Sequence, residues 1–211
     1  MIQRGSLMLR NVVFVLTGKA QSGKDTVAVM IQQLLKSKYE SSSIQLAYAD
    51  VLKDICVRNY GYRDKDKDRA ILQNVGDVIR QNNEDYFVHV VWDLIVSMMS
   101  NTKYFIVTDA RFENEMRPEP YNHYLSIVNV YIDNKNKHGL RGDVAKHESE
   151  QIATTPDLSK FDYVIDNSKD LEDTFLEVMK MVDNVIDNQA RAYQELREET
   201  GLDVPQTETK Q

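Results

Sequence analysis

The sequence predicts an α/β fold of three layers, α/β/α, built on a five-stranded parallel sheet in the order 2-3-1-4-5. Three observations predict it. Five short β-branched or aromatic runs alternate with stretches of helical apolar spacing, and such alternation gives a parallel sheet covered by helices on both faces. The first run is apolar without interruption, as in a strand buried on both sides. Between that run and the first helical stretch lies GKAQSGKDT, where Gly18, Gly23 and Lys24 fit GxxxxGK. In a loop of that form, main-chain N–H groups converge on phosphate oxygens.

Asn11 to Leu16 is the first predicted strand. From Lys24 onward, Val27, Ala28, Ile31, Leu34 and Leu35 share one helical face, so a helix starts at the loop and turns its free N–H groups and dipole towards an anion. Gly18, Lys19, Ala20, Gln21, Ser22, Gly23, Lys24, Asp25 and Thr26 are therefore the expected nucleotide-binding residues, with Lys24 reaching the outer phosphates as a catalytic cation. The residue after the lysine is commonly Ser or Thr, whose hydroxyl binds Mg²⁺; here Asp25 stands there, followed by Thr26. A carboxylate oxygen also suits Mg²⁺, which keeps several waters. An acid in a first helical turn is equally favoured by the helix dipole.

Ser41, Ser42 and Ser43 mark a loop, and Ile44 to Ala49 reads as the second strand. Asp50 is placed to cap the helix carried by Val51, Leu52, Ile55 and Cys56. Because open α/β sheets bind ligands beyond the carboxyl ends of their strands, Asp50 and Lys53 are also placed to face substrate. Arg63 to Arg69 is a charge run that reads as a solvated connection. Ile71, Leu72, Val75 and Ile79 then form a helical face that includes Gly76 and Arg80. Asp85 to Met99 is apolar nearly all round, which predicts a helix packed deep against the sheet, with His89 as a hydrogen-bonded packing residue.

Tyr104 to Thr108 is the third strand, and it delivers Asp109 and Arg111 to its carboxyl edge within TDARFENE. An acid there can hold Mg²⁺ or its waters, and an arginine two residues on can clamp phosphate through two donors. The simpler reading has Asp109 start a short helix that Pro118 and Pro120 end. Leu125 to Ile132 is the fourth strand, alternating enough to lie nearer a sheet edge. Residues 133–155 are basic at first, glycine-punctuated and poor in apolar residues, the composition of a lid that closes over a transferring group. Arg141 is its expected catalytic arginine, helped by Lys135, Lys137 and Lys146; a plain surface loop is the alternative. Phe161 to Ile165 is the fifth strand. Leu171, Phe175, Val178, Met179, Val182 and Ile186 trace a closing amphipathic helix, and residues 201–211 read as a disordered tail.

A chain of 211 residues with 42% hydrophobic content buries one sizeable core, so residues 1–200 are expected to form a single domain. The net charge of -7 argues against a surface that coats polymeric nucleic acid. The lone Cys56 allows no intrachain disulfide and suits a reducing interior, and the run at Val12 to Leu16 is too short to span a bilayer. The expected setting is cytoplasmic. Small-molecule nucleotides are the expected partners, with a homodimer also allowed.

GKAQSGKDT, YADVLKD, LQNVGDVIR, TDARFENE, HESE and FDYVIDN together resemble the deoxynucleoside monophosphate kinase family of tailed bacteriophages, over most of residues 12 to 180. The GKDT form of the loop and DxRFxNE are the most distinctive parts. The resemblance implies a P-loop fold like that of adenylate kinase and a transferase of deoxynucleotide metabolism. It also implies ATP-dependent phosphorylation of deoxynucleoside monophosphates with Mg²⁺, in the cytoplasm of an infected bacterium. By the same resemblance residues 50–100 form a monophosphate-binding region, in which Asp50, Lys53, Gln73 and Arg80 border the acceptor, and Glu150 belongs with the substrate side beside His147. Selecting deoxyribose needs a wall that crowds a 2′-hydroxyl or leaves it unpaired, and Tyr48, Tyr86, Phe87 and Trp92 are the candidates. A kinase for another small acceptor, of the dephospho-coenzyme A or phosphomevalonate type, and a nucleotide-binding regulator are the competing readings.

Overall fold

The computed structural model describes residues 10–61, 69–136 and 156–200. Strand β1 (Asn11–Thr17) occupies the middle of the sheet, and its residues Val12 to Leu16 have no exposed surface. Side chains alternate across a strand, so Val12, Phe14 and Leu16 face one layer and Val13 and Val15 the other. The first layer is helix α1 (Lys24–Tyr39) packed beside helix α6 (Leu171–Thr200). The second layer is α2 (Tyr48–Tyr60), α3 (Arg69–Asn82) and α4 (Tyr86–Met98).

Strands β2 (Ser43–Leu46), β3 (Tyr104–Val107), β4 (Leu125–Asp133) and β5 (Tyr163–Asp166) complete a sheet in the order β2-β3-β1-β4-β5, every pairing parallel. The expected fold class and strand order are those observed. Val12 stands opposite Tyr104 on one side and Ser126 on the other. This register brings the carboxyl ends of β1 and β3 side by side, with the loop after β1 next to the turn after β3. Strand β4 lies one place in from the edge, buried from Val128 to Ile132, and β5 forms the edge.

Helix ends follow local chemistry. Helix α1 stops where Glu40 turns left-handed, at φ 49°, and α2 stops at Gly61, at φ 67°. Asp170 starts α6 by accepting the Asp173 N–H at 2.8 Å. Helix α4 differs from expectation: Phe87, Val88, Val91, Trp92 and Ile95 are buried, whereas Val90 and Leu94 are exposed and His89 lies on that exposed side. It covers the sheet with one face, and His89 is not a packing residue.

Candidate active site

The loop between β1 and α1 owes its path to two close approaches. A Cβ on Gly18 would lie 2.5 Å from the main-chain oxygen of Ile132 in β4, and one on Gly23 would lie 2.0 Å from Asn167 Nδ2. Gly23 also has φ 96°, a conformation open to glycine and costly for other residues. Within the loop the Ser22 N–H donates to Lys19 O at 3.0 Å, and Gln21 takes φ 64°. The Lys24 ammonium donates to Gly18 O at 2.7 Å and to Lys19 O at 2.9 Å, which draws the side chain back across the loop from the first turn of α1. Asp25 and Thr26 are exposed on that same turn. The loop thus sets main-chain amides, a helix N-terminus and one ammonium group together, an arrangement whose chemistry suits an anion.

A second cluster lies beyond β3. Asp109 accepts the N–H of Tyr48 on Oδ1 and that of Ala49 on Oδ2, both at 2.8 Å, and so caps α2 from 61 residues away. Burial pushes its carboxyl pKa up, against the pull of the two amides and of Arg111. Asp109 does not start a short helix; α5 (Glu113–Met116) begins after Phe112. Nor does Asp50 cap α2: Ala47 stands at that N-cap, and Asp50 pairs on the surface with Lys53 at 2.7 Å.

Glu115, only 2% exposed, ties the cluster together. Its Oε2 accepts the N–H of Arg111 at 2.7 Å and of Phe112 at 3.2 Å, and its Oε1 lies 3.3 Å from Arg80 Nη2. Burial raises its carboxyl pKa to about 7, with the two amides and Arg80 opposing the rise. The Arg80 guanidinium also stacks near Phe87 and Phe112, 4.7 and 4.2 Å from the ring centroids. Behind it, Trp92 Nε1 donates to the Tyr48 hydroxyl at 2.6 Å, which donates to Glu115 O at 3.0 Å.

The structure thus brings Lys24, Asp25 and Thr26 to one strand end and Asp109, Arg111 and Arg80 to the neighbouring one. Gln73 is half-buried on α3, and Lys53 is held by Asp50. Arg141 and Glu150, with His147, Lys137 and Lys146, lie outside the described residues, as does most of the expected lid. Of the four aromatic residues expected to select deoxyribose, Tyr48, Phe87 and Trp92 are core residues at 3% exposure or less, which leaves Tyr86. An open groove beside β5, lined by Tyr163, Ile165, Lys180 and Met181, holds Lys135 of the expected lid, which pairs with Asp166 at 3.3 Å, and none of the other site residues. Sequence reasoning missed the anchoring by Glu115 and the contact of Asn167 with the loop. Both residues stood in stretches that attracted notice, but their partners are distant in sequence.

Residues 10–144 match the family model described as adenylylsulphate kinase, a span that holds both clusters. The chain belongs to the adenylylsulphate kinase family. It is a P-loop kinase, a phosphotransferase. A solved structure titled "Crystal structure of APE1195" is similar at 16% identity, over 85% of this chain and 98% of that one, with a TM-score of 0.48. Comparison with curated proteins finds no match. As in other P-loop kinases, chemistry is mainly a matter of positioning phosphates and placing positive charge around the group in transit. The loop and Lys24 are suited to the donor. No helix among the described residues is long and apolar enough to cross a membrane.

Proposed function

We propose that this kinase transfers the γ-phosphoryl group of ATP to the phosphate of a deoxynucleoside monophosphate, leaving ADP and the deoxynucleoside diphosphate. The observation that carries the reading is the pair of arginines beyond β3, with Glu115 bonded to the guanidinium of Arg80 and to the main chain of Arg111. An acceptor that bears a phosphate needs such cations and no general base, because its attacking oxygen is already an anion. The half-buried Asp109 and the buried Glu115 there each accept two main-chain N–H groups, which suits them as anchors. Lys24, Arg111 and, from outside the described residues, Arg141 would stabilise the group in transit, and Glu150, also outside them, would serve the substrate. Asp50, Lys53, Gln73 and Arg80 would border the acceptor.

The donor set fits Mg²⁺. Asp25 and Thr26 offer oxygen atoms at the mouth of the loop, and an ion that keeps several waters needs only one or two protein ligands. Asp109, with both oxygens on α2 amides, would act through water. When bound, the ion would neutralise charge on the donor phosphates.

A second reading follows from the family description: adenylylsulphate as acceptor. A panel of deoxynucleoside monophosphates, their ribose counterparts, adenylylsulphate, dephospho-coenzyme A and phosphomevalonate, each with ATP and Mg²⁺, separates the two. Turnover with a deoxynucleoside monophosphate is expected. Turnover confined to adenylylsulphate or to a non-nucleotide acceptor would replace this reading. No turnover, together with ATP-dependent binding of a protein partner, would make the chain a regulator.

A further inference from the structure

Asn167 directly follows β5 inside FDYVIDN, beyond the stretch that the family model matches, yet its side chain reaches the loop 145 residues earlier. Its Nδ2 donates to Ser22 O at 2.7 Å, and the same nitrogen occupies the space that a Cβ on Gly23 would need. Its own backbone is fixed, because the Asn167 N–H donates to Asp133 O at 2.7 Å at the end of β4. Its Oδ1 lies 3.3 Å from the Thr174 hydroxyl, which is fully buried and also within 3.0 Å of Asp170 O.

The consequence is geometric. The peptide unit whose oxygen is Ser22 O carries the N–H of Gly23, so a donor that grips the oxygen fixes the direction in which that N–H points. Preorganised donors hold charge at no reorganisation cost, which is how main-chain loops bind phosphate well. We infer that Asn167 is a positioning residue for the phosphate loop: its side-chain amide holds the Ser22–Gly23 peptide in the orientation that grips the donor phosphates. Gly23 is then glycine for two reasons, its φ and the room that Asn167 takes. The carboxyl end of β5 acts on the donor without touching the transferred group.

Inorganic tripolyphosphate and ATP are the probes, titrated against the full chain by calorimetry. Asn167→Ala is expected to weaken both by about tenfold or more, by the same factor, because the loss lies in the loop. Thr174→Val, which keeps the volume and leaves Asn167 in place, is expected to weaken both in the same direction by a smaller factor, and it carries the test if Asn167→Ala does not fold. A loss for ATP alone would make Asn167 a contact to the nucleoside and overturn the inference. Unchanged affinity for both ligands would overturn it equally. Neither readout uses an acceptor, so failure here is distinct from failure of the proposed deoxynucleotide activity.

Discussion

Arg80 and Glu115, 35 positions apart, meet with Nη2 3.3 Å from Oε1, and the same carboxylate takes the N–H groups of Arg111 and Phe112. One buried acid therefore joins the end of α3 to the turn after β3. Ionic pairs out of water are costly to break singly, because the partner is left charged and unpaired.

The first prediction concerns pH. The Glu115 carboxyl pKa is raised from 4.5 to about 7 in the fold, so the folded chain holds this proton more tightly than the unfolded chain does. The stability it contributes is complete below pH 4.5 and is lost as pH rises through about 7, a change of about 3 kcal/mol. Urea denaturation at about pH 5 and about pH 8 should show wild type losing more stability over that span than Glu115→Gln. Equal slopes for the two proteins would show that Glu115 does not titrate in this range.

Asp109 supplies the second. Asp109→Ala removes the acceptor of two α2 amides and should cost about 1–2 kcal/mol of stability, read by denaturation. Asp109→Asn retains one acceptor and should cost less. A loss of activity in Asp109→Asn well beyond its loss of stability would show that the acid also serves the donor site.

These two acids mark what was legible in the sequence. The strand order and the loop were readable because their signals are local: the continuous run at Val12 to Leu16, the spacing of Gly18, Gly23 and Lys24, and the periodicity of α1 and α6. Asp109 was recognised as a strand-end acid, but its role depends on α2 arriving with Tyr48 and Ala49 turned towards it, which no spacing encodes. Asp50 looked like the cap because it follows a strand, yet the helix begins two residues earlier at Tyr48. The apolar residues of α4 suggested full burial, but Val90 and Leu94 stay exposed because the sheet covers only one side of that helix. Glu115 and Asn167 act across 35 and 145 residues, distances that a single sequence does not reveal.

The third prediction tests Tyr48 as a core residue. Tyr48→Phe leaves the Trp92 indole N–H and the Glu115 carbonyl without their shared partner. With both groups buried, the loss should be about 2–4 kcal/mol in chemical denaturation. The preference between deoxyribose and ribose acceptors should not change; a shift in that ratio would return Tyr48 to the substrate wall.

The most direct test of the account is phosphoryl transfer by Lys24→Ala. The ammonium of Lys24 bridges Gly18 O and Lys19 O at the centre of the proposed donor site, where positive charge is worth most to the group in transit. The variant should keep the wild-type melting profile and lose about a thousandfold or more in turnover of whichever acceptor the wild type phosphorylates. A folded Lys24→Ala enzyme within about tenfold of wild type would contradict the account.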